Sequence, residues 1–106
     1  MLLDTNGIME CIEFLTGELN FLRNELKLTQ KDFAKIIGIS RQSLIDLEHQ
    51  NRKITKAILI AIISFFSLHS STAYILYKKK FYDMEYVASI GFTSNMIRRI
   101  YNWTDE

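Results

Sequence analysis

The chain has 106 residues, 48% of them hydrophobic, and a formal net charge of +1. This is the scale of one small domain with room for a helical extension. One cysteine, Cys11, excludes an internal disulfide; it is expected to be a small buried hydrophobe in a reducing cytoplasm. The longest apolar stretch, residues 57–66, runs for about ten residues, too short for a bilayer span, so no membrane association is expected. The first residues lack a basic start, and Gly17 and the charges interrupt any apolar run, so no secretory signal is expected.

Charge becomes informative when divided along the chain. Residues 1–17 carry Asp4, Glu10 and Glu13 and no lysine or arginine, giving an acidic helical arm. Residues 18–66 hold eight basic against five acidic side chains, and the remainder five against four. The basic excess lies on the middle segment, where a polyanionic ligand would need it.

In chain order, Asp4-Thr5-Asn6-Gly7 reads as a turn or cap. Ile8, Ile12, Leu15, Leu19, Leu22 and Leu26 then recur at helical spacing and predict a long first helix, which Gly17 weakens or breaks. Residues 28–48, LTQKDFAKIIGISRQSLIDLE, are the most informative. Thr29 is a good N-cap with Asp32 three residues on, and Phe33, Ile36 and Ile37 form one apolar face. Ala34 is small enough for two helices to cross closely, and Gly38 suits a left-handed stop. Ile39 plugs the core from the turn. Ser40 then caps a second short helix whose inward face is Leu44 and Leu47. Two short amphipathic helices joined this way predict a helix-turn-helix and hence a reader of double-stranded DNA.

Downstream, Thr55 caps a fourth helix over 56–67, and His69-Ser70-Ser71 supplies a loop before a fifth over 72–79. Two further helices are expected around 84–90 and 94–103. No strand pattern persists, so the fold class is all-α. Residues 87–100 echo the spacing of 34–47, with Gly91 for Gly38 and Thr93 for Ser40. Two readings stay open there: a degenerate second helix-turn-helix with Arg98 and Arg99 outward, or two ordinary helices split by a glycine.

Residues 19–66 resemble the Cro/lambda-repressor-type helix-turn-helix family. The likeness rests on Leu22-Arg23, Leu28-Thr29-Gln30, Phe33-Ala34, Gly38-Ile39-Ser40, Ser43-Leu44, Leu47-Glu48 and the apolar helix after Thr55. It implies a bundle of four to five helices, here with N- and C-terminal helical extensions, divided as 1–17, 18–69 and 70–106. Two departures stand out: Gln50 occupies a place where the family often has glycine, and Ile54 one where it often has proline.

The resemblance also implies roles. Arg41, Gln42, Ile45 and Asp46 would meet base edges in the major groove: Arg41 by a bidentate pair with guanine, Gln42 with adenine, Ile45 against a thymine methyl. Asp46 would accept from a cytosine amino group or orient Arg41. Gln30, Ser43, Arg52, Lys53 and Lys56 would hold phosphates. Thr29, Ala34, Gly38, Ser40, Leu44 and Glu48 would be structural, Glu48 pairing with Arg23.

No phosphate-cradling glycine loop and no His/Cys ligand cluster is present, so neither catalysis, a cofactor nor a metal is expected. The C-terminal segment is rich in aromatics. Tyr74, Tyr77, Phe81, Tyr82, Tyr86 and Trp103 are expected either to complete the core or to form a dimer or partner interface. The expectation is a cytoplasmic homodimeric repressor on a palindromic operator. The alternatives are an antitoxin that represses its own operon and holds a toxin through the C-terminal region, and an adapter or antirepressor that no longer binds DNA.

Overall fold

In the computed structural model, which describes residues 7–50 and 53–104, the chain is all-helical, with no strand among the described residues. The elements are α1 (Ile8–Glu25), α2 (Gln30–Ile37), α3 (Arg41–Glu48), α4 (Lys56–Ser67), α5 (Ser70–Lys78), a 3₁₀ turn (Phe81–Asp83), α6 (Glu85–Ser89) and α7 (Ser94–Tyr101). The cap expected at residues 4–6 and the phosphate contact expected of Arg52 lie outside the described residues.

Helix α1 is unbroken at Gly17, which faces open space. The boundary expected at residue 17 therefore falls inside one helix. Its apolar stripe, Cys11, Ile12, Leu15, Leu19 and Leu22, is buried from end to end, and α1 packs on α3, α5 and α6. Burial pushes the Cys11 thiol up to about 12, with a lesser contribution from the charge of Glu10. This sulfur is therefore packed as a hydrophobe and held as an unreactive thiol.

The central helix α4 has no charged side chain after Lys56, because Leu59, Ile62, Ile63 and Phe66 all point into the bundle. Phe33 of α2 stacks on Phe66 at 5.2 Å between ring centroids, fixing the helix-turn-helix unit to the core. The chain then bends by 104° into α5. The bend is held by Thr72, whose hydroxyl donates to the Phe66 carbonyl at 2.7 Å. No single helix among the described residues is long and apolar enough to cross a membrane.

The C-terminal segment corrects half of the aromatic interface expectation. Phe81, Tyr82 and Tyr86 are at most 3% exposed and belong to the same core as α1, with Phe14 stacked on Phe81 at 5.3 Å. The reason is coverage: the face of α1 that carries Cys11 and Phe14 needs the 3₁₀ turn and α6 to exclude water. Tyr82 satisfies its hydroxyl against Ser67 Oγ at 2.8 Å. Tyr77, Trp103 and Tyr101 form a half-buried aromatic cluster with the exposed Tyr74 at its edge.

Residues 87–100 repeat the local turn. Gly91 has φ +105° and the Phe92 N–H returns to the Val87 carbonyl at 3.1 Å, as Ile39 returns to Ala34 at 3.0 Å. Thr93 caps α7 through the Met96 N–H. The packing differs: α3 lies against α2 and α1, whereas α7 packs on α5. Arg98 is half-buried, reaching Tyr77 Oη and Asn95 Oδ1, and Arg99 is exposed. The glycine turn here is a way to pass between two short helices, without the helix pairing of residues 30–48.

Candidate nucleic-acid interface

The site grows from two capped helix starts. Thr29 Oγ1 accepts from the Asp32 N–H at 3.0 Å and Ser40 Oγ from the Ser43 N–H at 3.0 Å, each satisfying an orphan donor of a first turn. Between them Gly38 has φ +83°, and both its own N–H and that of Ile39 bond the Ala34 carbonyl. This closes α2 and reverses the chain. Leu44 and Leu47 anchor α3 to the core. That leaves Arg41, Gln42 and Ser43 fully outward at its start, with Ile45 and Asp46 half-buried beside them.

Below this surface lies an ion pair. Arg23 grips Glu48 with both ends of its guanidinium: Nε donates to Oε2 at 2.6 Å and Nη2 to Oε1 at 3.2 Å. Arg23 Nη1 also donates to the Leu28 carbonyl at 2.8 Å, tying the loop before α2 to α1. Both side chains are nearly buried, at 8% and 5% exposure. Gln30 Nε2 and Asn20 Nδ2 add hydrogen bonds to Glu48 Oε1 at 3.1 and 3.3 Å. Burial alone would raise the Glu48 carboxyl. The bonds from Arg23, Gln30 and Asn20, with the Arg23 charge, outweigh it and hold the group below the ordinary glutamate value.

Gln30 turns this buried pair outward. With its amide nitrogen on Glu48, its carbonyl oxygen faces Arg41, whose Nη2 donates to it at 3.4 Å. The carboxylate requires the donor, so the amide can be oriented only this way. The chain of contacts Arg23–Glu48–Gln30–Arg41 thus runs from α1 through α3 and α2 to an exposed guanidinium. Sequence reasoning missed Asn20 altogether and missed the tie between Gln30 and Glu48. Neither lies at a spacing that periodicity could flag.

Two shallow concavities flank α3. One, of ≈ 490 Å³, is lined by Arg23, Thr29, Gln30, Lys31 and Arg41, with three cationic residues in its wall. The other, of ≈ 300 Å³, lies between Ser43, Asp46 and Leu47 on α3 and Lys53, Ile54 and Thr55 before α4. Lys53 in its wall and Lys56 at the start of α4 are exposed. Lys31, exposed on the α2 side, was not among the residues expected at phosphates. Asp46 does not orient Arg41: it accepts from Gln42 Nε2 at 3.0 Å, one turn away on the same helix.

A family model described as helix-turn-helix matches residues 19–71, half of the chain. The chain belongs to the Cro/lambda-repressor-type helix-turn-helix family. No curated protein and no solved structure gives a match. Within this family of DNA-binding regulators, the departure at Gln50 is one of side chain and not of backbone. Gln50 has φ +64° and donates its N–H to the Leu47 carbonyl at 2.9 Å, the conformation that glycine adopts freely. The helix-turn-helix thus ends its second helix with a residue that pays a strain a glycine would avoid.

Proposed function

We propose that this helix-turn-helix protein is a sequence-specific transcriptional repressor that binds a palindromic operator as a homodimer. The observation that carries the reading is the start of α3. Arg41 and Gln42 stand exposed on a capped helix, beside a cationic concavity on the α2 side and with Lys53 and Lys56 exposed on the other, places where two phosphate backbones would lie. In the major groove Arg41 would read guanine and Gln42 adenine, the latter exchanging its bond to Asp46 for one to the base. Ile45 would meet a thymine methyl. Gln30, Lys31, Ser43, Lys53 and Lys56 would hold phosphates, Gln30 with the second proton of an amide already committed to Glu48.

The homodimer follows from scale. One short helix buries too little surface for useful specificity, and two copies on a two-fold axis read half-sites about one helical turn apart. Selection from a random duplex library tests this, followed by backbone footprinting of the enriched site. The expected result is an inverted repeat protected as two half-sites. Enrichment of no motif, or of a single asymmetric half-site bound by one copy, would contradict it.

A further inference from the structure

Away from α3, the molecule carries a second surface of different character. Between α1 and α5 lies a groove of ≈ 480 Å³ lined by Glu18, Phe21, Tyr74, Ile75, Lys78 and Lys79. Phe21 is 53% and Tyr74 47% exposed, unusual for rings with a core available to them. Each ring has a lysine over it: Lys79 Nζ lies 5.8 Å from the Phe21 centroid and Lys78 Nζ 5.9 Å from that of Tyr74. The one carboxylate in the wall, Glu18, is paired with Lys79 at 3.0 Å. An apolar floor between two helices therefore has a rim whose uncompensated charge is positive.

We infer that this groove docks an acidic amphipathic helix of a partner protein. Leucine-like anchors at i, i+3/i+4 and i+7 would fill the space between Phe21 and Tyr74, with a flanking carboxylate reaching Lys78 and a second sharing Lys79 with Glu18. A second copy of this chain is the poorer occupant, because a two-fold contact would offer Lys78 only the single carboxylate Glu18, which already pairs with Lys79. The groove is also compatible with bound DNA. Of the two α1 residues that hold Glu48, Arg23 lies about 200° and Asn20 about 100° around the helix from Phe21, so the groove uses another face of α1. The groove shares no lining residue with the concavities beside α3, and the inference does not depend on the operator reading.

Trp103, the single tryptophan, lies edge-on to Tyr74 at 5.2 Å and reports on the groove. Its emission is followed while the full chain is titrated with two synthetic helical peptides. They share one leucine pattern, flanked in one by glutamates and in the other by lysines. The glutamate peptide is expected to bind and shift the emission while the lysine peptide does not. Phe21→Ala should weaken binding about tenfold, and Lys78→Glu should reverse the preference; both positions are exposed, and circular dichroism checks each variant's fold. DNA affinity should be unchanged in either variant. Binding of neither peptide, equal binding of both, or indifference to Phe21→Ala would overturn the inference. So would a loss of self-association in Phe21→Ala, which would make a second copy the occupant, or a loss of DNA binding, which would put the groove on the DNA side.

Discussion

Glu48 concentrates more of the stability argument than any other residue of the interface. Its carboxylate is nearly buried, yet it accepts four hydrogen bonds from Asn20 and Arg23 of α1 and Gln30 of α2. Removing Arg23 would leave that charge buried and only partly paired, so Arg23→Ala should cost about 3–5 kcal/mol in urea unfolding. Because the folded-state value of Glu48 is lowered, its contribution is present above the ordinary 4.5. It is lost as pH falls below 4.5 through the lowered value. Glu48→Gln should be less stable than the parent at neutral pH, and its stability should fall less on acidification; a parallel fall would contradict the pairing. Backbone strain supplies a second residue-scale test. Gly38→Ala should destabilise by about 1 kcal/mol although an added Cβ meets no atom there, because the cost is torsional. Gln50→Gly, at φ +64°, should stabilise by up to about 1 kcal/mol.

At the scale of elements, each helix that carries the site starts on a side-chain cap. Thr29, Ser40 and Thr55 accept from N–H groups three residues on, and these starts were legible because capping is local chemistry written in adjacent residues. The fourth helix ran from Lys56 to Ser67 as its periodicity implied. Gly17 was ambiguous for a physical reason: a glycine weakens a helix without forbidding it, and tertiary burial of Leu15 and Leu19 on either side decides. Since Gly17 faces open space, Gly17→Ala should raise stability by about 1 kcal/mol in the same unfolding assay. What could not be read was partner choice across elements. The ties of Asn20 and Gln30 to Glu48 span 28 and 18 residues, and nothing in local pattern selects them. Asp46 had two basic or amide neighbours in reach, and the helix turn gave it Gln42 in place of Arg41.

The molecule as a whole is flattened, with principal extents of 39 × 39 × 18 Å, and the two proposed binding surfaces centre on different elements. Composition predicted an aromatic C-terminal segment but could not say which surface those rings would cover. Phe81, Tyr82 and Tyr86 close the core over α1, while Tyr74 is left at the rim of the α1–α5 groove. One buried hydroxyl, Tyr86 Oη, has no hydrogen-bond partner among the described residues. Tyr86→Phe should therefore be neutral or stabilising by about 1–2 kcal/mol, measured by thermal unfolding; a clear loss would mean the hydroxyl is satisfied. The net charge of +1 understates the basic character of the face around α3, where Lys31, Arg41, Lys53 and Lys56 are all exposed. Binding should therefore be steeply salt-dependent in spite of a nearly neutral chain.

The most direct test of the central claim is a titration of the selected duplex at several salt concentrations with the parent, Arg41→Ala and Lys53→Ala. Arg41→Ala should lose about 1–3 kcal/mol and accept a substituted base at the position it reads. Lys53→Ala should weaken all sequences alike and make the salt slope shallower by about one per copy. Equal, sequence-independent losses from both variants would contradict base reading by α3.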